Sequence, residues 1–428
     1  MHKALLVAYA YPPSPLIGAL RPAGLAKYLP EFGWEVVVVT AKLPGHIRSA
    51  DGVIETDFQD KLTNWKRKFG FDPAQGLHQQ IGLPLATGRK TSLPHTKVIR
   101  LAKSVLTFPD PTTGWIPFAT KAVQEFEGVH EIDAIISTSP PITCALLGRR
   151  LKTLLRKPWI ADFRDLWADR ISKSPVKPLQ AQVEKRALAH ADALVTVSDE
   201  WAARLRKRYG NKPAFSIPNG YDPDDFAQPA PPLTERFTIT HTGRLYAGHR
   251  DPTPLLRAIR ELIDEGRLPA DQLRLRFYGP LEPWLLPVVR SCKLEDLTEV
   301  SDSVPREHAL KLQRESQLLL LLAWDDLRET GWHTAKLYEY LGSKRPILAV
   351  GGAPGALTQV LRQTQAGVHV QSDRELKDFI LAAYAEFAAK GQVSYRGEAN
   401  AFAPYTHREM ARKFAEVLDS TLAGCSKK

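Results

Sequence analysis

Sulfur is scarce in this chain of 428 residues, which holds three cysteines and two methionines. Cys144, Cys292 and Cys425 form no CxxC pair. That excludes a disulfide framework and a thiolate zinc site, and it fits a reducing cytosol. No apolar run reaches the about 18 residues that a membrane-spanning helix needs. The opening MHKALLVAYAYPP is apolar but short, without a small-residue cleavage site. It reads as a first strand rather than a signal peptide, so the expected location is the cytoplasm. HExxH, G-x-S-x-G and a P-loop GK[ST] are all missing, which removes zinc-protease, hydrolase and P-loop readings. Neither half carries GxGxxG after its first strand, and the histidines are not spaced for a metal.

What is present is ordinary globular composition, with 43% hydrophobic and 25% charged residues. The net charge is +11, a balance that suits polyanionic partners. Basic residues gather at Lys61–Lys68 around Trp65, at Arg89–Lys103 and at Arg149–Lys157. They read either as solvated surface or as a peripheral contact with the anionic inner face of the plasma membrane.

The first half alternates strands and helices. Ala4–Ala8 and Val36–Thr40 are continuous apolar runs, as in a parallel sheet buried on both faces. Ala134–Ser137, Trp159–Phe163 and Ala193–Val197 are further strands. Helices fit Leu20–Phe32, Ile142–Leu155, Val176–Ala191 and Glu200–Tyr209. Residues 44–112 read as an irregular basic insertion. The Pro- and Asp-rich stretch 217–234 reads as a linker. A second alternating series follows, with strands at Phe237–Thr242, Leu273–Tyr278, Leu318–Leu322, Pro346–Val350 and Gly367–Val370. Its helices fit Pro254–Glu265, Arg306–Glu315, Thr334–Leu341 and Arg374–Lys390. The expected class is therefore α/β, with two doubly wound Rossmann-like domains, 1–216 and 235–404, facing a cleft. A C-terminal helix, 405–428, is expected to pack back on the first domain.

Chemistry-bearing residues fall where strands end. After the first strand come Gly18 and Arg21, at a helix start where a phosphate or sugar fits; an ordinary turn is the plain alternative. Ser137-Thr-Ser-Pro-Pro141 follows another strand. Asp162, Arg164 and Asp165 end a third; their carboxylates suit an acceptor hydroxyl or proton transfer, or else a structural Arg–Asp pair. Arg244 and Arg250 bracket Gly248 in a loop after the first strand of the second half, which suits a diphosphate. His249 lies beside Arg250. The loops at Arg276-Phe-Tyr-Gly and Ser301-Asp-Ser-Val-Pro-Arg306 suit a base. In Gly331–Gly352, Thr334 caps a helix, Lys336 and Glu339 share one face of it, and Gly342 stands where a left-handed cap belongs. Phosphate at the helix start and a ribose on Glu339 compete there with a plain i,i+3 salt bridge. Asp222-Pro-Asp224-Asp225 matches a metal-holding DXD only formally.

In order along the chain stand YPP, Gly18 and Arg21, VVVVT, ISTSPP, DFRDLW, VTVS, IPNGYD, TGRLYAGHR and KLYEYLGSKRPILAV. This series resembles the retaining GT-B glycosyltransferases of family 4. The resemblance implies transfer of a sugar from a nucleotide-sugar donor to a polysaccharide, lipid-linked or other glycan acceptor, with retention of configuration. It implies no cofactor, no bound metal and no nucleic-acid partner. It places Gly18, Arg244, Arg250, Thr334, Lys336, Leu337 and Glu339 at the donor. Arg21, Asp162 and Asp165 fall on the acceptor side, and Asp165, Arg244, Arg250 and Glu339 in catalysis. Two departures stand out. Gly331 occupies the position of the first glutamate of E-x7-E, with Glu329 out of register, and Thr143, Cys144 and Ala145 stand where relatives often have histidine. A non-hydrolysing nucleotide-sugar epimerase shares the fold, and a degenerate GT-B binding module is a further alternative.

Overall fold

The computed structural model describes residues 1–43, 51–59, 107–167, 177–210, 212–324, 331 and 334–425. The basic stretches Lys61–Lys68 and Arg89–Lys103, with Glu329 and His333, lie outside them. The chain divides into two compact units, 1–218 with 407–428, and 219–406.

In the first unit the strands are β1 (His2–Ala8), β2 (Trp34–Ala41), β3 (Val53–Thr56), β4 (Ala134–Ser139), β5 (Trp159–Phe163), β6 (Ala193–Thr196) and β7 (Ala214–Ser216). They form one sheet in the order β3-β2-β1-β4-β5-β6-β7, parallel throughout. Ala4 stands beside both Val36 and Ala134, so the order reverses between β1 and β4. Helices α1 (Leu20–Tyr28), α2 (Ile116–Glu125), α3 (Ile142–Leu155), α4 (Lys177–Leu188) and α5 (Asp199–Tyr209) supply the crossovers among the described residues. Ser198 caps α5 through Trp201 N at 3.4 Å.

The second unit runs β8 (Phe237–Thr242), α6 (Thr253–Asp264), β9 (Leu273–Tyr278), α7 (Leu285–Ser291), β10 (Thr298–Ser301), α8 (Arg306–Glu315), β11 (Leu318–Leu322), α9 (Ala335–Ser343), β12 (Ile347–Val350), α10 (Ala356–Thr364), β13 (Gly367–Val370) and α11 (Asp373–Lys390). Its six-stranded parallel sheet has the order β10-β9-β8-β11-β12-β13, reversing between β8 and β11. The five leucines of β11 show why a two-faced sheet needs such a run. Leu318, Leu320 and Leu322 enter the core beneath α6 and α11, while Leu319 and Leu321 pack with Leu337 and Leu341 of α9 on the opposite face. Each fully buried leucine contributes about 1.5–3 kcal/mol.

The last helix, α12 (His407–Cys425), belongs to the first unit, where Met410, Phe414 and Leu418 join Leu6 and Leu25 in one core. A methylene on Gly24 of α1 would stand 2.5 Å from the ring of His407, so glycine is what lets α12 approach α1. Trp34 Nε1 donates to Asp419 at 2.8 Å and fixes its register.

Several expectations are revised. Val53–Thr56 is an edge strand within the supposed irregular insertion. Ala214–Ser216 and Thr298–Ser301 are further short strands, and Ile116–Glu125, Leu285–Ser291 and Ala356–Thr364 are helices that periodicity did not single out. These edge strands are short and half-buried, so they lack the apolar run of a central strand. Gly342 is not a cap. It lies inside α9 against the ring of Phe226, and Lys344, at φ 52°, takes the left-handed position. Among the described residues no helix is long and apolar enough to cross a membrane.

Candidate active site

In doubly wound sheets ligands usually bind at the carboxyl ends of the strands, where the strand order reverses. In the first unit the loops after β1, β4 and β5 meet there. Arg21 and Asp162 were expected at an acceptor, but both are buried: Arg21 is 3% exposed and Asp162 0%. Arg21 grips Asp162 through two bonds of 2.9 Å, Nε to Oδ2 and Nη2 to Oδ1. Thr138 donates to the same carboxylate at 2.7 Å. The remaining guanidinium protons reach the carbonyls of Ile217 and Pro218, each at 3.0 Å, and the cation lies 5.1 Å from the centre of the Phe414 ring. The pair ties α1 to β4, β5 and α12, and it offers a substrate no open face.

Gly18 permits a close approach, as expected, but the group that approaches is Arg164. Its guanidinium donates to Gly18 O at 2.8 Å and Pro140 O at 2.9 Å, and would stand 3.3 Å from a methylene on Gly18. Burial lowers the Arg164 pKa, against the pull of Asp162 and, more weakly, Asp165. Asp165 is half-buried in the loop after β5. At the expected histidine position stands a network instead. Asp110 accepts from Thr143 N at 2.9 Å, Thr143 Oγ1 at 2.7 Å and Thr112 Oγ1 at 2.6 Å. It thereby anchors residues before α2 to the first turn of α3. Burial pushes the neighbouring Cys144 thiol up to about 12, which keeps it an inert thiol.

In the second unit the loop after β8 turns at Gly243, whose φ of 112° favours glycine. A side chain there would overlap Cε and Nζ of Lys336, so Lys336 lies across this glycine. Thr334, 6% exposed, caps α9 by accepting from Lys336 N at 3.4 Å. Leu337 plays a different part from the one expected: its side chain is core, and its N–H bonds Thr334 O at 3.1 Å. Burial lowers Lys336 to about 7, with Arg250 acting in the same direction and Glu339 opposing. Arg244 is exposed on the same loop, which Leu245 anchors in the core.

Glu339 is 12% exposed and pairs with Arg306 of α8 at 3.2 Å; Arg306 also holds Asp225 at 3.0 Å. Burial raises the Glu339 pKa, while Arg306 and then Lys336 lower it. The formal DXD is therefore taken up locally: Asp222 caps the turn Pro223–Phe226 and Asp225 serves Arg306. Among the described residues no group of three or more His, Cys, Asp and Glu could hold a metal. Beneath the site, Tyr340 OH receives Thr242 N at 3.1 Å, Gln313 donates to Thr242 Oγ1 at 2.9 Å, and Ser343 donates to Gln313 Oε1 at 2.9 Å. His241 lies in the same layer, with Nδ1 3.0 Å from Leu320 O, and burial lowers it to about 3. It is neutral at any ordinary pH.

Residues 23–225 match the family described as Glycosyltransferase Family 4. Among solved structures, sucrose-phosphate synthase from Thermosynechococcus elongatus has a TM-score of 0.59 at 16% identity, covering 100% of this chain and 98% of that one. HepE from Anabaena, solved with UDP and glucose, has a TM-score of 0.63 at 13% identity, covering 98% and 100%. The chain resembles the GT-B glycosyltransferases of family 4. WaaG, a glycosyltransferase involved in lipopolysaccharide biosynthesis, has a TM-score of 0.54 at 13% identity, covering 99% and 98%. No curated protein sequence matches the chain. The family match supports glycosyl transfer as the coarse activity.

Against this GT-B frame, the residues that sequence reading missed are those joined over long separations. Asp110 was assigned to the insertion, Arg306 to a base-binding loop, and His241 and Trp324 to no role. Trp324 had one signal, its place just past the leucine run of β11.

Proposed function

We propose that this chain transfers a sugar from a nucleotide-sugar donor to a glycan or lipid-linked acceptor, with retention of configuration. The observation that carries the reading is Lys336, in the first turn of α9, lying across Gly243 of the loop that carries Arg244 and Arg250, with Glu339 farther along the same helix. Departure of a nucleoside diphosphate places negative charge on phosphate. Two cations near the positive end of the α9 dipole meet that charge at little reorganisation cost. Glu339 offers its carboxylate to the donor ribose, with Arg306 holding it in place. Arg244 reaches the diphosphate from the exposed side of the same loop. In the first unit Asp165 is the carboxylate left to meet an acceptor hydroxyl, since Asp162 is committed to Arg21. HepE, solved with UDP and glucose, supports a nucleotide-sugar donor, and WaaG, a glycosyltransferase involved in lipopolysaccharide biosynthesis, supports a glycolipid acceptor.

Saturation-transfer NMR against a panel of UDP-, GDP- and dTDP-sugars tests the donor half. One of them is expected to show transfer to its ribose and base protons. A panel without any binder would sink the proposal.

A further inference from the structure

Arg250 lies against a pair of aromatic rings, Tyr246 and Trp324, whose centres are 5.6 Å apart. Its guanidinium carbon is 5.5 Å from the centre of the Tyr246 ring and 5.7 Å from that of Trp324, within the about 6 Å reach of cation–π attraction. Tyr246 stands in the loop after β8 and Trp324 just beyond β11, the two strands between which the sheet order reverses. The rings therefore join the two loops that follow those strands. The backbone of this turn is fixed as well: Tyr246 N donates to Arg250 O at 3.1 Å and Arg250 N to Tyr246 O at 2.9 Å, with Gly248 at φ 69° completing the turn. His249 lies flat on Trp324, 4.5 Å between centres and 7° between planes. Trp324 thus touches three residues of one short turn. Tyr246 is 38% exposed and Trp324 half-buried, so neither is a core residue.

We propose that Trp324 is a positioning residue that, with Tyr246, clamps the Arg250 guanidinium toward the donor diphosphate. This rests on the donor reading above. An arginine already held by rings loses less rotamer freedom on gripping an anion than a loose one. A planar guanidinium suits such a clamp, whereas an ammonium does not stack.

The test combines arginine Nε–Hε NMR, with Arg250→Lys to identify the signal, and calorimetric UDP binding at fixed pH and salt. In the parent protein the rings are expected to shift the Arg250 proton upfield. Trp324→Leu should remove the Trp324 share of that shift, leaving only the part due to Tyr246, and weaken UDP about tenfold. Trp324→Phe should recover most of both, and Trp324→Leu should add little further loss in an Arg250→Ala background. An unchanged melting curve for Trp324→Leu separates clamp loss from unfolding. A shift left undiminished by Trp324→Leu, or an equal affinity loss with and without Arg250, overturns the clamp. If neither UDP, GDP nor dTDP binds the parent protein, the diphosphate role fails with the donor reading. The ring shift alone still decides whether the clamp exists.

Discussion

Removing the Asp162 carboxylate should unfold the first unit rather than merely slow catalysis. In Asp162→Ala, Arg21 keeps its charge at 3% exposure but loses two bonds of 2.9 Å. The carbonyls of Ile217 and Pro218 remain, and they carry no compensating charge. Breaking one side of a buried pair costs about 3–5 kcal/mol. The Thr138 hydroxyl, which donates to the same carboxylate at 2.7 Å, adds about 1 kcal/mol. Against a total stability of about 5–15 kcal/mol, that is a large fraction. The assay is hydrogen exchange by mass spectrometry on peptides from β4 and β5, which reports opening of this unit separately from the other. The double variant Arg21→Met with Asp162→Leu should recover at least half of the loss, because no charge is left stranded. A single variant that exchanges like the parent protein yet loses transferase activity would refute this reasoning. It would return Asp162 to the acceptor.

Three further outcomes follow from the site. Lys336, lowered to about 7, is protonated below that pH and neutral above it; nucleotide-sugar affinity should therefore be full at pH 6 and fall as pH rises through 7, by up to about tenfold per unit. The diphosphate diester of a nucleotide sugar does not titrate in that range, and Lys336→Arg should flatten the profile. Gly243→Ala combines φ 112° with overlap on Lys336, so donor affinity should drop, at a stability cost of about 1–3 kcal/mol measured by urea unfolding. Gly24→Val forces α12 away from α1 at His407 and should lower the melting temperature; an unchanged melt would contradict the assigned packing.

The fold was legible where burial leaves a one-dimensional trace. A strand covered on both faces must be apolar at every position, so Leu318–Leu322 and Ala4–Ala8 announce themselves. The edge strands Val53–Thr56 and Thr298–Ser301 carry no such run. On α9, the Thr334 cap and the shared face of Lys336 and Glu339 were legible because helix spacing alone sets them. Partners supplied by folding were not. Arg306 reaches Glu339 from another helix, and Asp162 looked like a site residue until Arg21 was seen to cover it. Gly342 looked like a cap because local sequence does not reveal that Phe226 needs its space.

The central claim is sugar transfer from a nucleotide donor held by Arg250, Lys336 and Glu339. It is tested most directly by nucleoside diphosphate release from the bound donor, with and without a glycolipid acceptor fraction. The account predicts acceptor-dependent release in the parent protein and a loss of at least about a hundredfold in Arg250→Ala and Glu339→Ala. Release that is indifferent to both substitutions, or conversion of the donor to an epimeric nucleotide sugar without any acceptor, would contradict it.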